Sequence, residues 1–211
     1  MSRFSNWPGA WRWMGIAVAL SAGLLSGCGT PTVQARVTSF QQWPADVVGA
    51  TYRFADATPG QAGNLEYQAY QDVVRASIGP TGLVEAQGGK PARFLVKFNY
   101  GTEQTQVMVR RSYDPYFYGG YGFYGPRWWG GGMGYWGPEW VDVPTVAYRN
   151  RLNVEIHDST RNGAEVYRST AYIVTGRQDL VRTMPYLARA IFDGFPGNNG
   201  SEREVEYPLG R

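Results

Sequence analysis

The sequence is short of the side chains that most often carry chemistry: one cysteine and one histidine occur in 211 residues. A single cysteine cannot form an internal disulfide, whatever the redox state of the compartment. A single histidine, His157, excludes His-rich metal sites and makes Ser-His or Cys-His triads hard to build, so the sequence is read as offering no metal site. Charge of either sign is also scarce. The formal net charge is +3, and Arg3 and Arg12 of the N-terminal stretch supply two of those three charges, which leaves the remainder near neutral. No dense Lys/Arg stripe is present, so a nucleic-acid partner is not expected. No P-loop, no G-x-G-x-x-G at a strand–helix junction and no G-x-S-x-G is found, and no cofactor is expected. The uncharged apolar run, residues 14–25, would rise only about 18 Å as a helix, short of a hydrocarbon core of about 30 Å.

A charged start, a short apolar run and then small residues form the layout of a secretory signal. The run ends in Leu25-Ser26-Gly27-Cys28. This resembles the lipobox of bacterial lipoproteins, in which cleavage between Gly27 and Cys28 leaves an acylated cysteine as the first residue. The resemblance implies two thioether-linked acyl chains and often a third on the amine, enough for stable membrane anchoring, which one chain alone does not give. Gly29, where an Asp would retain a lipoprotein on the inner membrane, implies the outer membrane with the domain facing the periplasm. Residues 1–27 are thus expected to be a signal peptide, and 28–32 a short tether that holds the domain near the headgroups.

Residues 33–197 read as one domain of ordinary size. Val33–Phe40 alternates as a strand, and Thr51–Ala55 is a second, with Tyr52 and Phe54 on one face. Asn64–Ile78 reads as a helix with Asn64 as N-cap and Leu65, Ala69, Tyr70, Val73, Val74 and Ala76 on its apolar face. Ala92–Tyr100 alternates with Phe94, Val96, Phe98 and Tyr100 on one side, and Gln104–Arg110 and Val146–Ile156 alternate likewise. Asn162-Gly163 marks a turn, from which Glu165–Val174 returns. A second helix falls within Leu180–Phe192, with Pro185 suggesting a start near Thr183, and residues 198–211 read as a polar, flexible tail. The order predicts an α+β fold: a mainly antiparallel sheet with two helices packed on one face.

Between the middle strands lies an insert, residues 113–140, with 12 aromatics and 9 glycines in 28 residues. Its glycines and prolines break a helix, and it shows no strand alternation. Three readings compete for its rings. Tyr116, Phe117, Tyr118, Tyr121 and Phe123, followed by Tyr124, Trp128, Trp129, Tyr135 and Trp136, are the candidates for stacking on glycan rings or for sitting in the headgroup zone. The third reading is a sticky hairpin tip packed on itself.

Several segments together resemble a known family. Ala92–Tyr100 (ARFLVKFNY), Leu152–Ala171 (LNVEIHDSTRNGAEVYRSTA) and Ala190–Pro196 (AIFDGFP) are similar to the domain of unknown function 4136, over roughly Val33–Gly197; Tyr167 stands where a Trp is common. The resemblance implies a periplasm-facing lipoprotein with an α+β fold and an aromatic–glycine insert. It implies no activity and no catalytic residue. The expected function is a membrane-anchored envelope lipoprotein acting as a non-catalytic binding or structural module. Its expected partners are the bilayer, through acylated Cys28, and an envelope protein or peptidoglycan. The alternative is an envelope hydrolase acting on glycan or peptide through carboxylates that the sequence does not single out. A convergent pair of buried acids in a cleft would favour it.

Overall fold

Alternating segments of the kind read above bury one face each, and their pairing decides the architecture. A computed structural model describes residues 31–113 and 139–209. The elements are β1 (Thr32–Gln41), β2 (Thr51–Phe54), α1 (Leu65–Ser77), β3 (Val84–Glu85), β4 (Phe94–Tyr113), β5 (Glu139–Asp158), β6 (Ala164–Thr175), α2 (Leu180–Phe192) and β7 (Glu202–Pro208). The strands form one sheet in the order β3-β2-β4-β5-β6-β1-β7. The fold is α+β, and β4–β5, β5–β6 and β6–β1 are antiparallel. The sheet is mixed, however, because β2 runs parallel to both β3 and β4. The reason is the helix between β2 and β4: a parallel return needs a crossover of a dozen or more residues, and α1 supplies it. The main body is Gln34–Tyr207. The described residues outside it are 31–33 and 208–209, where the Leu209 amide donates to the Pro31 carbonyl at 2.9 Å.

Both helices start near where their sequences place them. Asn64 Oδ1 accepts from the amides of Glu66 (2.8 Å) and Tyr67 (3.3 Å), which satisfies two of the donors a helix start leaves open. The buried stripe of α1 is Tyr67, Tyr70 and Val74. Leu65, Ala69 and Ala76 were expected on that stripe and are instead exposed, because the stripe is set by the rings that meet the sheet. α2 begins at Leu180, before Thr183, and keeps Pro185 inside it. A proline there removes one intrahelical donor. Met184, Leu187, Ala188 and Ile191 are all buried, and their burial offsets that loss.

The core is built on one face of the central strands. Phe94, Val96 and Phe98 of β4 stand opposite Asp158, Ile156 and Val154 of β5 in the register, and the apolar members are buried. Tyr67 of α1 stacks on Phe98 with ring centroids 4.7 Å apart, and Tyr70 meets Tyr100 edge-on at 4.6 Å. Tyr167 of β6 stacks with Phe192 of α2 at 6.4 Å, and its hydroxyl donates to the Ile191 carbonyl at 2.7 Å. Trp43, in the loop after β1, stacks on Phe94 at 5.6 Å and meets Phe195 edge-on at 4.7 Å.

Two further elements differ from the sequence reading. The runs expected at Ala92–Tyr100 and Gln104–Arg110 merge into one continuous 20-residue strand, β4, which begins at Phe94. The tail expected to be flexible holds β7. Its charge misled the reading: Glu202, Glu204 and Glu206 are exposed, while the alternate residues Arg203, Val205 and Tyr207 turn inward. The Tyr207 hydroxyl donates to Asp193 Oδ2 at 2.9 Å, and an Arg203 guanidinium nitrogen donates to the Ala190 carbonyl at 3.1 Å.

Candidate functional site

The residues singled out from sequence, Gly27, Cys28 and the ten aromatics between Tyr116 and Trp136, lie outside the described residues. What is described is the structure that carries the insert. β4 and β5 pair without interruption from Phe94↔Asp158 to Tyr113↔Glu139. β6 accompanies β5 only as far as Tyr148↔Thr175. From Thr105↔Ala147 outward the hairpin is therefore a two-stranded ribbon, about 27 Å long at roughly 3.4 Å per residue. It carries apolar groups on both faces. Val107, Val109, Val141 and Val143 share one side, and Met108, Trp140, Pro144 and Val146 the other, as the register and the alternation of a strand require. Met108 is 68% exposed and Trp140 56%. Where the ribbon leaves the three-stranded part, Asn150 is fully buried and satisfied. Its Oδ1 accepts from the Thr102 hydroxyl at 2.8 Å and its Nδ2 donates to Thr175 Oγ1 at 2.9 Å.

The other end of the hairpin holds a buried ion pair. Asp158 closes β5 and caps the short 3-10 turn Ser159–Arg161, accepting from the Thr160 amide (3.0 Å) and hydroxyl (2.7 Å). Arg93 donates from Nη2 to Asp158 Oδ2 at 2.9 Å and also reaches Asp46. Burial pushes the Asp158 carboxyl up, but the bonds from Arg93 and Thr160 together outweigh it and hold the carboxyl below its ordinary range. The same guanidinium lowers the Asp46 carboxyl. Among the described residues Asp158 is the one fully buried acid. It is committed to an arginine, with no second buried acid beside it among those residues.

Neighbours in sequence, His157 and Asp158 use different partners. His157 Nδ1 lies 3.1 Å from the Gly163 carbonyl oxygen and Nε2 3.4 Å from Glu155 Oε2. Asn162 and Gly163, both left-handed (φ 56° and 73°), turn the chain so that this carbonyl faces the ring. Glu165 stands opposite His157 across a shift in the β5–β6 register. Arg168 bonds Glu165 Oε2 through Nη2 at 2.6 Å and lies 3.3 Å from Glu155 Oε1. One donor atom each from Glu155, His157 and Glu165 falls within 4.8 Å of the others. Sequence reasoning missed this group. Glu155 and His157 were visible as neighbours on one strand face, but Glu165 joins them only through the register.

A cavity of about 350 Å3 lies beside β1, lined among others by Val37, Ser39, Asn198, Glu202 and Arg203. Ser39 there is bonded to Ser169 at 2.9 Å.

No curated protein matches this chain. Solved structures with a similar shape include a PDZ domain protein from Parabacteroides distasonis, 12% identical with a TM-score of 0.44, which covers 90% of this chain. This chain spans only 42% of that protein. PelC dodecamers from Paraburkholderia phytofirmans are also similar, at 15% and 14% identity and a TM-score of 0.35. Each covers 74% of this chain, which in turn spans 93% and 94% of the PelC chain. At such scores the likeness carries no function across. The family described as a domain of unknown function (DUF4136) matches residues 36–197, well over half of the chain, and takes in all of the sheet except β7 and the N-terminal residues of β1. The chain belongs to the DUF4136 family.

Proposed function

We propose that this chain is a lipid-anchored envelope protein whose domain is a non-catalytic binding or structural module. In this reading Cys28 holds it on the outer membrane, facing the periplasm. Two helices cover one face of the sheet, and the aromatic–glycine insert stands at the far end of the β4–β5 hairpin. The supporting observation is the two-stranded ribbon beyond Tyr148. Two-stranded ribbons are marginal alone in water, yet this one leaves Met108, Trp140 and Val146 exposed. Apolar surface of this kind, leading to a stretch of Trp and Tyr, suits contact with a bilayer or a glycan.

The test has two arms. Intact mass should show a mature chain beginning at acylated Cys28, and Cys28→Ser should leave the membrane fraction or stay uncleaved; a membrane-bound mature chain with an unmodified cysteine overturns the anchor. The non-acylated domain beginning at Val33 should bind lipid vesicles or isolated peptidoglycan and lose that binding when Tyr116–Gly137 is deleted. Full binding after the deletion, or none before it, removes the insert as the contact surface.

A further inference from the structure

The β5–β6 hairpin brings together donor atoms whose geometry asks for a cation. The ring of His157 sets the chemistry. Its Nδ1 faces the Gly163 carbonyl oxygen at 3.1 Å, an atom that only accepts, so Nδ1 carries the proton. In the neutral ring Nε2 then presents a lone pair, and it points at a carboxylate oxygen, Glu155 Oε2, 3.4 Å away. In that form two acceptors face each other, which is unfavourable unless a positive charge, a second ring proton or a bound ion, lies between them.

The separation leaves room for an ion. A charge-assisted hydrogen bond at its tightest draws its partners to about 2.7–2.9 Å, and this pair is looser, at 3.4 Å. Ligands about 2.1 Å from a tetrahedral zinc ion lie about 3.4 Å from each other, and this pair has that spacing. Glu165 completes the set, with one carboxylate oxygen inside the same 4.8 Å group. Arg168 holds Glu165 Oε2 and approaches Glu155 through Oε1, whereas the ring faces the other Glu155 oxygen, Oε2. A histidine oriented by Nδ1–H donation to a backbone carbonyl is also how metal-bound imidazoles are held. Glu155 and His157 are half-buried and Glu165 is more open.

We propose that Glu155, His157 and Glu165 bind a divalent transition-metal ion, with Zn2+ the best match. The ligands are His157 Nε2 and one oxygen from each carboxylate. One imidazole with two carboxylates is too hard a set for Cu(I), and the imidazole selects against Mg2+ and Ca2+. Arg168 aims the carboxylates, but its charge opposes the ion. Affinity is therefore a balance that substitution at Arg168 can tip. The site lies on the body of the domain and does not depend on the lipid anchor or the insert.

The experiment titrates the metal-free full chain, in detergent, with Zn2+ at neutral pH. The ring-nitrogen NMR signals of its one histidine are followed, and calorimetry gives the stoichiometry. One ion per chain is expected, with Nε2 moving to its metal-bound position while Nδ1 keeps its proton. Glu155→Gln and Glu165→Gln should each weaken binding roughly tenfold or more, and Arg168→Gln should tighten it. Thermal unfolding checks that each variant is folded, and His157→Ala, at a partly open position, provides a further variant. Unchanged ring nitrogens at millimolar Zn2+ overturn the proposal and leave an imidazolium–Glu155 pair as the occupant. Zinc bound with His157 undisturbed, or with equal affinity in both glutamine variants, overturns it as well.

Discussion

The two halves of the β4–β5 hairpin are made of the same strands with the same alternation, yet they end in opposite environments. Near the base, Phe94, Val96 and Phe98 are buried beneath the rings of Trp43 and Tyr67 and the rest of the core. Farther out, Gln106 and Met108 follow on that same face and Val107 and Val109 lie on the opposite one, and neither set meets a third strand. Alternation fixes which residues share a face. It does not fix whether anything covers that face; the covering element does. The boundary is chemical as well as geometric. Two rungs inside it sits Asn150, whose amide ties Thr102 on β4 to Thr175 at the end of β6, so the last three-stranded layers are closed with hydrogen bonds before the ribbon starts at Ala147.

The comparison is sharpest at Phe94. Replacing this fully buried ring with Ala should cost about 3–5 kcal/mol in denaturant unfolding. A loss under about 1 kcal/mol would mean that the base is as loosely covered as the ribbon. Removing the carboxylate of Asp158 comes next. Asp158→Ala should cost about 2–3 kcal/mol, less than the 3–5 typical of a fully enclosed pair, because Arg93 stays partly solvated and keeps Asp46. The same substitution should flatten the acid limb of stability. The native carboxyl of Asp158 sits below its unfolded value. Its contribution is therefore complete above about pH 4 and lost as pH falls through the native value. Unfolding curves across that acid range should be steeper for the parent than for the variant, and equal slopes would take Asp158 out of the account. At the small end, Met108→Ala on the ribbon should change stability by less than about 0.5 kcal/mol. A loss as large as at Phe94 would break the comparison outright, since it would show that the ribbon is covered in solution.

These contrasts also mark what the sequence could reveal. Local chemistry was legible. Asn64 caps the helix it was expected to cap, Asn162-Gly163 turns the chain with both residues left-handed, and Phe94, Val96 and Phe98 share the buried face. Features that depend on distant partners were not. Trp43 looks like any loop tryptophan until Phe94 and Phe195 meet it. β7 looks like a charged tail because every other residue is a glutamate. The parallel placement of β2 needed knowledge of where the chain returns after α1. The Glu155–His157–Glu165 group was hidden for the same reason, since a shifted register and not spacing along the chain brings Glu165 in. The lipobox and the ring-rich insert were legible as motifs, and their placement lies outside the described residues.

The pairing of Tyr113 with Glu139 has one more consequence. It holds both ends of the insert on one rung of the ladder, so residues 114–138 join two fixed, adjacent endpoints. The entropy of closing such a loop grows with the logarithm of its length, and doubling it costs only about 0.6 kcal/mol. The hairpin is thus a socket. A chain built on it can lengthen, shorten or rewrite what it carries beyond this rung, changing what the protein touches while leaving the body that holds it unaltered.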